Sequence, residues 1–209
     1  IMLLIVIGGI GFLTWDDIFE NKWRFHRYRM QSKVILVTTG LLIFLPTVFF
    51  FFSDFSALPF GNRLLASFFQ SVTPRTAGFN TVNLSAMSGA SQGVMILLML
   101  IGGSPGSCAG GVKTTSLAIW LARLKANLRN DSAVNLFGYS IAPDLVSRAR
   151  IPMAMSVLWN LSGVILLSLT QPGVSLDVII FAQVSAFATV GLTMGLTPEL
   201  TELSQLWII

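Results

Sequence analysis

The stretch Ser71-Val72-Thr73-Pro74-Arg75-Thr76-Ala77-Gly78-Phe79-Asn80-Thr81 decides how this chain folds. It closes an uncharged segment, Leu64 to Ser71, of about two helical turns, whereas a membrane crossing needs roughly 20 apolar residues. A segment that short must enter the membrane and return. Sliding the chain on itself by 113 residues finds a second copy. Phe68, Gln70, Thr76 and Gly78 fall on Phe181, Gln183, Thr189 and Gly191, with Phe79 on Leu192. Again a short uncharged segment, Val178 to Ser185, leads into the turn, here Thr189-Val190-Gly191-Leu192-Thr193. Non-helical backbone at membrane depth is tolerated only where protein buries it or where it lines a water-filled cavity. A short helix followed by Thr-x-Gly suits a cation filter. Glycine opens backbone angles closed to other residues, so successive carbonyl oxygens can face one axis and replace an ion's water shell. The candidate filter is therefore Thr76, Ala77, Gly78 and Phe79 with Thr189, Val190, Gly191 and Leu192, the bulky last residue of each set packing behind the carbonyls. A plain turn between membrane helices would explain one such segment; two of them point to a pore.

Composition agrees with a membrane protein and excludes a soluble domain. Of 209 residues, 54% are hydrophobic and 11% charged, against about 25% charged in an ordinary soluble domain. Uncharged runs cover residues 1 to 15, 34 to 53, 76 to 112, 151 to 176 and 178 to 198, which predicts an all-α polytopic fold in contact with membrane lipid. The excess of 13 Lys+Arg over 9 Asp+Glu reports orientation, so nucleic acid is not an expected partner. Lys22, Arg24, Arg27, Arg29 and Lys33 mark one cytoplasmic segment, and Arg123, Lys125, Arg129, Arg148 and Arg150 a second. Crossings are expected at 34 to 52, about 90 to 122 and 151 to 171, with the Thr-x-Gly segments opening to the outer side. Thr14 and Asp17 read as a cap and its reciprocal partner at the start of a short cytoplasmic helix, which Trp15, Trp23 and Tyr28 would anchor at the membrane surface. His26 belongs to that solvated face. Ile1 lies inside an apolar run and Trp207 to Ile209 begin another, which predicts an internal segment of a longer protein.

The crossing at about 90 to 122 is broken. Gly102, Gly103, Ser104, Pro105, Gly106, Ser107, Cys108, Ala109, Gly110 and Gly111 cannot sustain a helix, since each glycine costs up to about 1 kcal/mol and proline about 3. A phosphate-binding loop is excluded because Val112 separates Gly111 from Lys113 and the preceding element is a membrane helix rather than a strand. Such a break serves either as a hinge or, lying just beneath the filter, as an obstacle in the ion path. Lys113, the cation inside this span, is a functional residue by default, and Cys108 is a small packing residue. A second offset, of 94 residues, puts Leu3, Leu4, Ile7, Gly8 and Gly9 on Leu97, Leu98, Ile101, Gly102 and Gly103. Arg75 stands beside the filter, where a bare cation would repel the permeant ion. It either pairs with an acidic residue in a buried site or snorkels outward, and the buried pairing is favoured.

The pattern from Ser71 to Thr81 closely resembles the Trk/Ktr/HKT potassium transporters, nearest to the Ktr-type bacterial membrane subunit, and the likeness runs the length of the chain. It implies four units of helix, pore loop and helix around one pore. Residues 1 to 32 would end the second inner helix and supply a cytoplasmic linker; 33 to 122 would form the third repeat, 123 to 150 a second linker, and 151 to 209 most of the fourth repeat. The resemblance assigns the filter role to the eight residues above and makes Gly102 to Gly111 with Lys113 the intramembrane gating loop. It further implies potassium as the transported ion, sodium as a coupling or activating ion, a bacterial plasma-membrane location, a homodimer, and a cytosolic nucleotide-binding regulatory subunit. The fourth-repeat turn matches less tightly than the third.

Two rival functions weaken on the residues themselves. A substrate-coupled secondary transporter also uses broken helices, but would place carboxylates mid-membrane, where these spans hold none. An intramembrane enzyme would need His26 and the acids to converge, and they lie in loops or at helix ends. The chain is therefore expected not to be an enzyme.

Overall fold

The computed structural model describes residues 1–209 apart from Trp23, Ser132 and Ile209 and the side chain of Glu199. The interfacial role expected of Trp23 and the last residue of the fourth unit thus lie outside the described residues. Helices dominate: α1 (Met2–Ile10), α2 (Phe12–Asn21), α3 (Met30–Phe52), α4 (Phe60–Val72), α5 (Gly89–Leu100), α6 (Thr114–Leu128), α7 (Pro143–Thr170), α8 (Leu176–Phe187) and α9 (Glu202–Ile208). Of these, α3 and α7 are long and apolar enough to cross a membrane, and α1 with α2 would make another span were they not bent by 90°.

That bend sits at Gly11, whose φ of 84° closes α1 and opens α2. The expected cap at Thr14 is not formed: Thr14 lies inside α2 and is buried, and Gly11 holds the capping position. Asp17 has a different task. Buried to 1% exposure, it accepts from the Arg29 backbone N–H at 2.8 Å and from Asn21 Nδ2 at 2.8 Å, tying α2 to the start of α3.

Helices α4 and α8 are 13 and 12 residues long, longer than the two turns expected, yet at about 20 Å they still fall short of a hydrocarbon core of about 30 Å. Each returns along a long helix. Thr47 Oγ1 of α3 donates to Ser71 Oγ of α4 at 2.9 Å, and Arg63 Nε of α4 donates to the Phe51 carbonyl at 2.6 Å. In the second unit α8 approaches α7 so closely that a Cβ on Gly163 would fall 2.2 Å from the Gln183 side chain. The two units share one apolar core in which Phe50, Met95 and Met99 meet Phe181, Val184 and Leu192.

The crossing expected at about 90 to 122 is interrupted where the glycines predict. Residues 101–113 leave the helix between α5 and α6 and close with a parallel bridge between Ile101 and Val112. Similarity at the 94-residue offset does not extend to conformation, since Gly8 and Gly9 stay helical in α1 while Gly102 and Gly103 do not. The later pair is followed by Pro105 and three further glycines in quick succession, Gly106, Gly110 and Gly111; the earlier one meets only Gly11. The linker after α6 holds an unexpected antiparallel hairpin, β1 (Val134–Leu136) and β2 (Tyr139–Ile141), pairing Val134 with Ile141. Its two-residue turn, Phe137-Gly138, has φ of 51° and 82°, the double positive φ that matches strand twist in a tight hairpin. Val134 and Ile141 pack on Ala122, Ala126 and Val146.

Candidate functional site

Both Thr-x-Gly segments begin at the C-terminal end of a short helix, where the summed peptide dipoles present partial negative charge. Thr76 and Thr189 have φ of 60° and 55°, unusual for a non-glycine residue, and Gly78 and Gly191 have 69° and 85°. Ala77 and Val190 between them keep negative φ. Backbone of alternating hand permits successive carbonyls to face one side, which a carbonyl-lined ion path requires.

Each turn is pinned from its own helix. Ala77 and Gly78 donate their backbone N–H groups to the Thr73 carbonyl at 3.2 and 3.3 Å, and Val190 donates to the Ser185 carbonyl at 2.9 Å. Thr73 Oγ1 donates to the Phe79 carbonyl at 2.5 Å, and Ser185 Oγ to the Leu192 carbonyl at 2.7 Å. These two hydroxyls were not singled out from the sequence. They could have been found as the polar groups nearest the C-terminal ends of otherwise apolar short helices.

The segments also meet one another. A Cβ built on Gly78 would stand 2.1 Å from the Val190 carbonyl oxygen, so backbone packs on backbone between turns 113 residues apart. Leu192 is 3% exposed and packs behind its turn as expected. Phe79 does not: among the described residues it is 52% exposed and lines a cavity.

The glycine-rich segment packs against the second turn. A Cβ on Gly110 would come within 2.4 Å of Thr189 Oγ1 and 2.6 Å of the Ala188 carbonyl oxygen. Thr76, Ala77, Phe79, Cys108 and Ala109 line one cavity of about 260 Å³, with Gly8 and Gly9 of α1 on its other wall. Ser104 holds the segment to α1: its N–H and Oγ both donate to the Gly9 carbonyl, at 3.1 and 2.9 Å, and Oγ also reaches the Ile10 carbonyl. At the far end Thr114 N–H donates to the Gly103 carbonyl at 3.1 Å. Gly102 and Gly103 lie within the fold of the segment, where a Cβ on either would strike Gly110 or Ala109. Gly106 and Gly111 take φ of 73° and 66°. Pro105 and Gly106 pass Gly11, whose own added Cβ would stand 2.7 Å from the Pro105 carbonyl. Ser107 Oγ donates to the Ser104 carbonyl at 2.6 Å. Lys113 folds back so that Nζ donates to the Ala109 carbonyl, placing its charge on the segment itself. Cys108 is exposed at the cavity rather than packed away.

Arg75 corrects the expected buried ion pair. It is buried to 4% exposure, but its contact is a 3.3 Å hydrogen bond from Nη2 to Thr39 Oγ1, and no described carboxylate pairs with it. Nε and Nη1 have no partner among the described residues.

The whole chain, residues 1–209, matches the TrkH family of cation transport proteins. The chain belongs to that family. Relatives include the potassium/sodium uptake protein NtpJ of Enterococcus hirae, 39% identical over 99% of this chain and 47% of that protein. The Ktr system potassium uptake protein B is 36% identical in Vibrio alginolyticus, over 95% of this chain and 45% of the relative, and 35% identical in Bacillus subtilis, over 100% and 48%. The fold is that of the potassium transporter TrkH from Vibrio parahaemolyticus, with a TM-score of 0.75 at 16% identity, over 99% of this chain and 47% of that one. The chain thus spans about half the length of the relatives it matches. As a TrkH/Ktr family member it is a mostly helical, multi-pass plasma-membrane protein of a transport family rather than an enzyme family.

Proposed function

We propose that this chain forms part of a potassium uptake pore, in which Thr76 to Phe79 and Thr189 to Leu192 contribute two quarters of a carbonyl filter and Gly102 to Lys113 forms the gate beneath it. Residues 33 to 122 and 151 to 209 are then successive repeats around that pore, with 1 to 32 and 123 to 150 as cytoplasmic linkers. The observation that carries the reading is the backbone contact between Gly78 and Val190, which brings two left-handed Thr-x-Gly turns to one place above the loop.

Potassium is the transported ion by likeness to relatives named for its uptake, one of them for sodium as well. Sodium enters here as a coupling or activating ion. The working protein is a homodimer, and a cytosolic nucleotide-binding subunit contacts the linkers and sets the gate. The test is radioactive potassium uptake by the full-length protein in cells lacking their own uptake systems, with and without sodium. Uptake above the vector control supports the pore, and uptake at the control level for a well-expressed protein refutes it.

A further inference from the structure

A second cavity, of about 400 Å³, lies far from the candidate filter, between α6, the hairpin and the first turns of α7. Arg123 of α6, Arg150 and Ser147 of α7 and Ser140 of β2 all line it. Neither arginine forms an ion pair with a described carboxylate; the neighbouring acid, Asp144, is held by Arg148 at 3.1 Å. Arg123 Nε is buried and has no partner among the described residues. A buried guanidinium donor without an acceptor is unfavourable, and a second cation across the same cavity adds repulsion that an anion would relieve.

Depth narrows the choice of anion. Ile151 to Thr170 of α7 is uncharged and about 30 Å long, the thickness of a hydrocarbon core, so Arg150 stands at its edge, level with lipid headgroups. Two guanidinium forks and two hydroxyls at that level suit a phosphate, which accepts paired N–H bonds from arginine.

We propose that this cavity binds the phosphate of an anionic phospholipid, seated between Arg123 and Arg150 beneath the hairpin. The lipid then joins α6, the helix that follows the glycine-rich segment, to the outer helix of the next unit. A free phosphate-bearing solute shares the chemistry but would not share the need for a bilayer edge.

The test uses the purified full-length protein in mixed micelles of phosphatidylcholine and phosphatidylglycerol, with bound lipid counted by native mass spectrometry. The parent is expected to retain phosphatidylglycerol in excess over phosphatidylcholine, and R123Q/R150Q to lose that excess by about 5-fold per arginine, the usual worth of one basic residue at an anionic surface. R148Q, whose side chain serves Asp144, is expected to bind as the parent does. If R123Q/R150Q does not fold, S140D places a carboxylate on the same wall and is expected to lose the excess too. Equal retention by the parent and a folded cavity variant would overturn the proposal. So would displacement of the lipid by inorganic phosphate, which would assign the cavity to a soluble anion.

Discussion

Gly78 and the Val190 carbonyl are in direct backbone contact: any side chain at residue 78 would begin 2.1 Å from that oxygen. Gly191, the counterpart of Gly78 in the other unit, has the same left-handed backbone, with φ of 85°. Among the described residues the two glycines thus share a positive φ, and Gly78 is in addition fixed by its contact with Val190.

The hydroxyls that brace the turns should matter for ion preference more than for folding. Thr73→Val keeps the shape of the side chain and removes the bond to the Phe79 carbonyl; Ser185→Ala removes the bond to the Leu192 carbonyl. Each bond is worth about 1 kcal/mol net. Both variants are expected to express normally and to discriminate potassium from sodium several-fold less well, read by uptake in competition with sodium.

Asp54 anchors the outer end of α3 to the start of α5. It accepts from the Ser88 N–H at 2.7 Å, from Ser53 Oγ at 2.9 Å and from the Ser88 and Ser91 hydroxyls. Partial burial alone would raise its carboxyl, but these donors together hold it below the ordinary 3.8. Stability from this carboxylate is therefore present above that ordinary value and is lost as pH falls through the lowered one. Asp54→Asn should lower the thermal midpoint at neutral pH, and the gap from the parent should close only below about pH 4. A gap that stays constant down to pH 2 would place the stabilisation elsewhere.

The loop from Gly103 to Gly111 is held to α1 through Ser104 and to α6 through Thr114, while its glycines leave several backbone states within a few kcal/mol. Shortening it in the full-length protein should raise flux and weaken control by the regulatory partner, leaving cation preference nearly unchanged. Surface expression measured alongside separates this from a hinge, whose shortening would lower the amount of folded protein. A well-expressed deletion with parental flux and regulation contradicts the gate.

Topology has its own test. Asn130→Cys in a Cys108→Ser background should resist a membrane-impermeant thiol reagent in intact cells and react once the membrane is opened. Labelling of intact cells would invert the assigned orientation.

Much of the fold was legible because it rests on local physics. The breaks at Thr76 to Gly78, Thr189 to Gly191 and Gly102 to Gly111 follow from glycine, proline and the length an apolar helix needs, all of which act within a few residues. What the sequence concealed depends on neighbours distant along the chain. The partner of Arg75 proved to be Thr39, the capping position expected at Thr14 went to Gly11, and Phe79 lines the cavity. The hairpin did carry a local signal, Phe137-Gly138 between Val134-Asn135-Leu136 and Tyr139-Ser140-Ile141, though its strands of three residues are too short for alternation to stand out.

The measurement that bears most directly on the pore is radioactive potassium uptake, with sodium as competitor, for Gly78→Ala and Gly191→Ala in the full-length protein. An alanine at positive φ costs about 1 kcal/mol or more at either site, and at residue 78 it also pushes against the facing Val190 carbonyl. Both variants should lose potassium preference or flux. Parental uptake and ion preference in both, at parental expression, would remove these two turns from the ion path.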